Sequence, residues 1–215
     1  MTASLCIFGE VLFDHFPDGH RVLGGAPFNV AWNLQRLGQD VRFISRVGAD
    51  EEGQAIRAAM RHHDMDDTCL QQDEGLPSGT VSVSFSDGEP SYDIVAPCAY
   101  DRIQRSELPS HGCDFLYHGT LGVRDPVSRE ALLALQASSP RIVFLDVNLR
   151  PPWWEKTEVL AWAERANWVK LNGDELEKLS DTGRQDEHSA RDFLQKHALD
   201  GLLLTRGSAG AELFT

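Results

Sequence analysis

The sequence contains little of what membrane, metal-binding or disulfide-rich proteins require. Its longest apolar runs are a handful of residues, whereas a helix that spans a bilayer needs roughly 20 apolar residues. The four cysteines, Cys6, Cys69, Cys98 and Cys113, are widely spaced and form no C-x-x-C pair. We therefore expect reduced, mostly buried thiols, and neither a zinc site nor a disulfide framework. The histidines likewise show no metal-ligand spacing.

Positive charge is also scarce. The 215 residues carry 20 lysines and arginines against 33 aspartates and glutamates, which gives a formal net charge of −13. Acidic residues spread in this way disfavour binding to the phosphate backbone of nucleic acids. An anionic cofactor would instead need backbone N–H groups at helix N-termini, helped by a bound cation. The N-terminus has no basic segment before its first apolar run, so we expect no signal peptide and a cytoplasmic protein.

What the sequence does contain is an alternation of short apolar runs with segments of helical periodicity. The apolar runs predict strands at about 4–9, 41–46, 114–118, 141–146, 167–170 and 201–205. The helical period predicts helices at about 27–37, 52–62, 126–138, 155–164, 173–179 and 187–197. This order predicts one α/β domain over residues 1–215, with a doubly wound, mostly parallel sheet and helices on both faces.

Two segments, 11–23 and 78–95, depart from this alternation. Residues 80–85 and 91–94 have period-two runs joined by Ser-Asp-Gly-Glu-Pro, which predicts a hairpin. We expect the two segments to form a small β-sheet inserted in the α/β domain. Such a sheet can act as a lid, because a closing lid excludes water from a transferring group; an ordinary edge hairpin is the alternative.

The first polar motif surrounds a paired glycine. Gly24 and Gly25 precede Pro27, a residue that suits the first turn of a helix, and glycine lets the backbone approach a ligand closely. Asn29 lies in that first turn and offers a donor and an acceptor, while Asp14 follows the first strand and can accept hydrogen bonds from hydroxyls. Spacing alone leaves a purely structural turn equally open.

A second motif, Asp146-Val147-Asn148-Leu149-Arg150, follows the strand predicted at 141–146. Ligands of open parallel sheets gather at the carboxyl ends of strands, so these polar residues are site candidates. Arg150 could contact a sugar or a phosphate, or it could form a salt bridge that merely anchors the loop.

Two further motifs follow later strands. Asn172 and Glu175 open the helix predicted at 173–179, where an acidic residue also fits a simple capping role. Thr205 and Gly207 lie in a glycine-rich turn after the last predicted strand, and a plain β-turn is the alternative there. Both stretches are therefore ambiguous when they are taken singly.

Together these stretches resemble the ribokinase-like (phosphofructokinase-B type) carbohydrate kinases, and the fructokinases in particular. In that family a Gly-Gly pair, an Asn at this spacing and an Asp after the first strand hold the sugar. The resemblance implies that Asp14, Gly24, Gly25 and Asn29 bind the sugar. It also covers the D-x-N-x-R stretch, which implies a sugar or phosphate contact for Arg150.

The resemblance implies the cofactors ATP and Mg2+. The K-x-N-x-x-E and T-x-G-x-x-G motifs of the family assign Asn172 to the nucleotide phosphates, Thr205 and Gly207 to ATP, and Glu175 to magnesium-bound water. Tyr92, on the predicted lid, is expected to contact the sugar, because related sugar kinases use lid side chains there; a role that only stabilises the hairpin is the alternative. Related kinases often dimerise through the lid sheet, so a homodimer is expected as well.

The implied activity is transfer of the γ-phosphate of MgATP to a hydroxymethyl group of a furanose-like sugar, with fructose as the expected substrate. The alternatives within the family are a 2-keto-3-deoxygluconate kinase and a nucleoside kinase. A sugar acid would require an extra cation near the substrate, and a nucleoside would require an aromatic pocket for its base.

The second signature of the family, D-T-x-G-A-G-D, does not occur in the sequence. In relatives it supplies the anion hole and the base that removes the hydroxyl proton. The chain therefore contains no candidate for that base, and Arg150 is the one candidate for a catalytic role. We expect part of a longer kinase that is a poor enzyme as it stands; the alternative is a non-catalytic sugar-binding or regulatory protein.

Overall fold

The computed structural model describes residues 4–86, 89–138 and 140–215. The centre of the predicted hairpin turn, residues 87 and 88, lies outside the described residues. The strands in the described part are β1 (Leu5–Phe8), β2 (Leu12–His15), β3 (Arg21–Gly24), β4 (Val41–Gly48), β5 (Leu70–Asp73), β6 (Gly79–Ser86), β7 (Glu89–Ile94), β8 (Phe115–His118), β9 (Ile142–Asp146), β10 (Trp168–Asn172), β11 (Gly201–Thr205) and β12 (Ala211–Phe214). The α-helices are α1 (Ala26–Arg36), α2 (Glu51–His62), α3 (Pro126–Ala137), α4 (Lys156–Ala163), α5 (Gly173–Leu179) and α6 (Glu187–Lys196).

The large sheet has eight strands in the order β12-β11-β10-β9-β8-β1-β4-β5. Its neighbouring strands are parallel except β11 and β12, which are antiparallel. Strand order runs outward from β1 in both directions, so the sheet is doubly wound and mostly parallel, as predicted. The carboxyl ends of β1 and β9 consequently open at the same edge of the sheet, where ligands of such folds bind.

Alternate residues of β1 face two different cores. Ile7 packs with Phe28 of α1 and Ile56 of α2 on one face, whereas Phe8 faces a core that includes Leu132 of α3 and Phe193 of α6. Both faces of the central strands are covered by helices, which explains why β1 is almost wholly apolar.

Side-chain caps explain where most of these helices begin. Asp50, Asp125, Asn172 and Asp186 each accept a hydrogen bond from a backbone N–H in the first turn of α2, α3, α5 and α6 respectively. Asp50 also accepts hydrogen bonds from the backbone N–H (2.7 Å) and hydroxyl (2.6 Å) of Ser78. The same side chain therefore fixes the start of α2 and the entry to β6.

The smaller sheet has four strands in the order β3-β2-β6-β7. Strands β2 and β6, which are far apart in sequence, pair in parallel, and β6 and β7 form the predicted antiparallel hairpin. The segments 11–23 and 78–95 thus come together as one sheet beside the large one.

The predicted strands and helices are confirmed to within about two residues at their ends. Strand β5, Leu70-Gln-Gln-Asp, was missed because it lies at the sheet edge and has only one apolar residue. Its Gln71 is buried through polar contacts, accepting a hydrogen bond from Arg46 at 3.1 Å and from the Gln104 backbone at 2.7 Å. Hydrophobic periodicity carries no signal for such a strand.

The expectation of four reduced cysteines was wrong. Cys6 in β1 and Cys113, two residues before β8, form a disulfide between positions 107 residues apart in the chain. The strands β1 and β8 are parallel neighbours, so the fold brings together two cysteines that their sequence spacing does not relate. Cys69 and Cys98 are free thiols.

Candidate active site

A cavity of about 600 Å3 lies between the large sheet and the smaller sheet. We call it the inter-sheet cavity. Its apolar walls come from strands of the smaller sheet, and its polar groups come from Glu10, Asp14, Asn29, Asn148 and Arg150. A mostly apolar concave site with a few convergent polar groups is the usual form of a small-molecule site.

The paired glycines form the wall where the backbone approaches these polar groups most closely. A Cβ atom on Gly24 would lie 3.1 Å from Oδ2 of Asp14, and one on Gly25 would lie 2.6 Å from the backbone oxygen of Glu10. Gly25 also has a φ of 107°, in a region that side-chain-bearing residues rarely adopt. Gly25 therefore requires glycine on geometric grounds, whereas a side chain at Gly24 would have to displace the Asp14 carboxylate by a few tenths of an ångström.

Asp14 and Asn29 face the cavity from different elements. Asp14 lies on β2 and is half-buried, and burial raises the pKa of its carboxyl group while the nearby Arg150 guanidinium lowers it. Asn29 lies in the first turn of α1, where its backbone N–H donates to the Gly25 carbonyl at 2.9 Å. Its side-chain amide makes no hydrogen bond with the described residues, which leaves a donor and an acceptor for a ligand.

Arg150 reaches the cavity from the loop after β9. The guanidinium is exposed and has no carboxylate within salt-bridge distance among the described residues. The anchoring salt bridge, one of two interpretations of Arg150, is therefore not found in that part of the chain. The loop is held by its backbone instead, because the Leu149 N–H donates to Oε1 of Glu175 at 2.8 Å.

Asp146, a further candidate in the same motif, does not line the cavity. It accepts hydrogen bonds from Nζ of Lys170 at 2.8 Å and from the Tyr117 hydroxyl at 2.9 Å, and it is only 8% exposed. These contacts between β8, β9 and β10 give Asp146 a structural role.

Tyr92 lies on β7 opposite Val83 of β6 and contributes to the cavity lining. Its side chain is 60% exposed, which leaves most of the ring available to a ligand. Tyr92, on the smaller sheet, therefore lines the same cavity as Asp14, Asn29 and Arg150.

Glu10 is a cavity residue that the sequence interpretation did not select. It lies two residues after the end of β1 and is 2% exposed, and its Oε2 has no hydrogen-bond partner among the described residues. Burial raises the pKa of this carboxyl group from 4.5 to about 7, against the opposing effects of nearby backbone amides and Arg150. An acidic residue at the end of a buried strand was the available sequence signal.

The second cavity lies at the carboxyl ends of β10 and β11 and has a volume of about 300 Å3. Its lining includes Asn172, Asp174, Gln185, Thr205 and Gly207. The structure thus brings together all three residues that were predicted to contact the nucleotide. Backbone groups in the turn after β11 are accessible, because Gly207 is exposed and adopts a φ of 54°.

Glu175 forms a reciprocal cap with Asn172 at the start of α5. The Glu175 N–H donates to Oδ1 of Asn172 at 2.9 Å, and the Asn172 N–H donates to Oε2 of Glu175 at 2.8 Å. Because Oε1 accepts from Leu149, both carboxylate oxygens are already bound to backbone amides. Glu175 therefore caps the start of α5, as one of its two interpretations from the sequence predicted.

The same contacts test whether these residues fit a magnesium ion. Glu175 is only 5% exposed, and no group of three or more His, Cys, Asp or Glu side chains in the described ranges is arranged to hold a metal. The described residues do not fit a magnesium site held by the protein alone. The magnesium role of Glu175 stays a prediction.

No helix in the described part of the chain is long and apolar enough to cross a membrane.

Comparison with known proteins supplies independent findings. Residues 5–215 match the family described as pfkB family carbohydrate kinase. The chain is 31% identical to the aminoimidazole riboside kinase of Salmonella typhimurium, over 97% of this chain and 70% of that protein. It is 30% identical to the fructokinase of Escherichia coli, over 98% of this chain and 73% of that protein.

Solved structures share the fold. The fructokinase from Vibrio cholerae O395 in its apo form has a TM-score of 0.90 at 26% identity, covering 100% of this chain and 78% of that chain. A double mutant of that fructokinase, solved with fructose, ADP and a potassium ion, has a TM-score of 0.85 at 26% identity, covering 100% of this chain and 73% of that chain.

Proposed function

The chain belongs to the pfkB family of carbohydrate kinases, and we propose that it binds fructose in the inter-sheet cavity for phosphorylation by ATP. The observation that carries the proposal is the convergence of Asp14, Asn29 and an unpaired Arg150 on one cavity beside the Gly24-Gly25 turn. The similarity to a fructokinase solved with fructose and ADP supports the same substrate and nucleotide.

The proposed sugar contacts follow from the chemistry of the cavity. Asp14 would accept hydrogen bonds from sugar hydroxyls, and Asn29 would both donate and accept. The glycine turn would let backbone groups approach the sugar, and Tyr92 would cover it from β7. We propose that the smaller sheet, residues 11–23 and 78–95, acts as the lid, because its strands form one wall of the cavity.

ATP would bind in the cavity at the ends of β10 and β11. Asn172 would contact its phosphates through the side-chain NH2 group, which makes no hydrogen bond with the described residues. Thr205 and the exposed backbone at Gly207 would line the nucleotide. Because ATP is the proposed phosphate donor, we expect the protein to work in the cytoplasm.

In the proposed reaction a hydroxymethyl oxygen of the sugar forms a bond to the γ-phosphorus of ATP. The bond from that phosphorus to the bridging oxygen breaks, and ADP leaves with the electron pair. The hydroxyl proton passes to a base that the family resemblance assigns to a signature that these 215 residues do not contain. Phosphoryl transfer depends mainly on positioning and electrostatic stabilisation, and Arg150 is the candidate cation near the sugar.

A sugar acid is the second candidate substrate, since the unpaired Arg150 could bind a carboxylate. A nucleoside is less well supported, because Tyr92 is the aromatic side chain of the cavity lining and one ring makes a poor pocket for a base. A substrate panel separates these possibilities.

We further propose a homodimer formed through the smaller sheet. Strand β3 lies at an edge of that sheet and its Val22 is 41% exposed, so backbone groups and an apolar side chain are available to a second copy. Light scattering after gel filtration should give twice the chain mass; a monomeric mass at micromolar concentration would contradict this part of the proposal.

The test uses natively expressed protein, whose intact mass is measured first, with ATP and a panel of fructose, ribose, 2-keto-3-deoxygluconate and adenosine. We expect fructose to be phosphorylated with the highest kcat/KM. Asp14→Asn should lower that value about 10- to 100-fold, as expected for loss of a hydrogen bond to a charged group. Asp18→Asn, which changes an exposed carboxylate of the same region, is the matched control and should have little effect.

Preferred turnover of the sugar acid or of adenosine would contradict the fructose proposal. An intact mass that matches 215 residues, with tight binding of fructose and no turnover of any substrate, would contradict the kinase reaction and favour a non-catalytic sugar-binding protein.

A further inference from the structure

Resting on the proposed function, we propose that Glu10 is an additional substrate-binding residue, whose carboxylate accepts a hydrogen bond from a sugar hydroxyl and disfavours sugar acids. The observation behind it is a side chain that is 2% exposed, lines the inter-sheet cavity and leaves Oε2 without a partner among the described residues. Buried polar groups are nearly always hydrogen-bonded, so the missing partner points to a ligand.

The backbone around Glu10 holds the side chain at the cavity. Gly25, at the start of α1, packs so closely that a Cβ there would lie 2.6 Å from the Glu10 carbonyl oxygen. Strand β1 before it is buried between the two cores, so Glu10 cannot turn toward solvent without moving the strand end. Its carboxylate is therefore positioned by the same turn that approaches the proposed sugar.

A purely structural carboxylate in this part of the fold has a different environment. Asp146, at the end of β9, accepts hydrogen bonds from Lys170 at 2.8 Å and Tyr117 at 2.9 Å. Glu10 has a cation near it, Arg150, but the two are not within salt-bridge distance. Backbone N–H groups of Glu10 and Ala26 favour its carboxylate, but Oε2 has no hydrogen-bond partner among the described residues, and a bound polyol would supply one.

Several ionisable groups act on Glu10 from the surrounding elements. They are Arg150, which favours the charged form, and Asp146, Tyr100 and Tyr117, which lie close enough to interact with it; Asp14 lines the same cavity. Burial raises the pKa of Glu10 to about 7 against the opposing effects of its own backbone N–H, Arg150 and the Ala26 N–H, so the free protein near pH 7 holds the group about half protonated. A hydroxyl that donates to the carboxylate favours the charged form, so sugar binding should release the proton.

The charges also predict selectivity between neutral and acidic sugars. Two carboxylates, Glu10 and Asp14, face the cavity together with one guanidinium, that of Arg150. When Glu10 is ionised, a substrate carboxylate would meet two like charges for one opposite charge. Neutral polyols should therefore bind more tightly than sugar acids of the same size, and increasingly so as the pH rises through about 7.

The experiment measures fructose binding to the full chain by calorimetry near pH 7 in buffers of different ionisation enthalpy. We expect release of about half a proton per fructose bound, given a pKa of about 7 in the free protein. Glu10→Gln should abolish proton release and weaken binding about 10- to 100-fold. Glu164→Gln, a matched change at the exposed residue that follows α4, should alter neither quantity.

The outcomes separate this inference from the proposal on which it rests. Fructose binding without proton release, or equal affinities of Glu10→Gln and Glu164→Gln, would overturn the role of Glu10 while the proposed function stands. Asp14→Asn should bind more weakly and still release the proton, which would support two distinct sugar contacts. Failure of the unaltered chain to bind any sugar of the panel would overturn both proposals.

Discussion

Two buried glutamates follow strands of the same sheet, and they differ in what their oxygens contact. Glu175, after β10, is 5% exposed, and its two oxygens accept backbone N–H groups of Leu149 and Asn172. Glu10, after β1, is 2% exposed and leaves Oε2 unpaired within the described residues. Burial is nearly equal in the two cases, so the hydrogen bonds distinguish an acid that holds the fold from one available to a ligand.

The cations nearby show the same contrast. Lys170, on β10, donates to Asp146 at 2.8 Å, while Arg150, after β9, makes no ion pair with the described residues. Lys170 and Asp146 thus form an ion pair within the sheet, whereas Arg150 at the inter-sheet cavity has no charged partner among the described residues. Unpaired groups of both signs in one cavity are what a polar, neutral ligand would satisfy.

The largest expected change in stability follows from replacing Glu175, whose carboxylate oxygens are both hydrogen-bonded. Glu175→Ala should lower the free energy of unfolding by about 4 kcal/mol, because two amides would each lose an acceptor worth about 1–3 kcal/mol. Urea unfolding compared with Glu164→Ala provides the measurement. A loss below about 1 kcal/mol would mean that the cap is not the role of Glu175.

Replacing the unpaired acid, Glu10, should raise the free energy of unfolding at high pH, whereas replacing Glu175 lowers it. Because the pKa of Glu10 rises from 4.5 to about 7 on folding, the folded state binds more protons between these values, and stability falls as the pH rises through that window. Glu10→Gln should remove this fall in stability. At pH 8.5 the free energy of unfolding of the variant should exceed that of the unaltered chain by about 3 kcal/mol.

Urea unfolding of both proteins at pH 5 and pH 8.5 measures that difference, and other titrating groups cancel in the comparison. Identical pH profiles of the two proteins would show that Glu10 is stably ionised in the fold.

A smaller loss of stability is expected when Asn172, the other member of the reciprocal cap, is replaced. Asn172→Ala should lower the free energy of unfolding by about 1 kcal/mol, since it removes the side-chain oxygen that accepts the Glu175 N–H at 2.9 Å. Thermal unfolding followed by circular dichroism measures this change. A loss as large as that of Glu175→Ala would show that the cap depends on both members equally.

The smallest effect on stability is expected at the unpaired cation. Arg150→Ala should change the free energy of unfolding by less than about 0.5 kcal/mol, because it removes no ion pair with the described residues. Fructose binding to the same variant should weaken, as calorimetry can measure. A stability loss with intact binding would place Arg150 among the structural residues.

The sequence was sufficient for most of the fold because each central element carries its own periodicity. Strand β1 and helix α1 were predicted within about two residues of their ends, and the paired glycines marked the turn between β3 and α1. Strand β5 was missed, because its buried Gln71 is stabilised by polar contacts that no apolar pattern reveals.

The candidate site likewise contains residues that the sequence predicted and residues that only the structure identified. Asp14, Asn29 and Arg150 were selected from their motifs, and they meet at one cavity. Glu10 was not selected, because an acidic residue after a strand is common and its lack of a partner appears only when the surrounding side chains are placed. Glu175 was ambiguous between capping and metal binding until its hydrogen bonds with Leu149 and Asn172 were known.

Properties set by neighbours along the chain, such as the alternation of strands and helices and the caps at Asp50 and Asn172, can be read from the residues in order. Properties set by neighbours in space cannot, because they depend on groups more than 100 residues apart meeting across a parallel sheet. The Cys6–Cys113 disulfide and the environment of Glu10 between α1 and the loop that carries Arg150 are of this second kind. Their chemistry is a consequence of the order in which β8, β1 and β4 lie in the sheet.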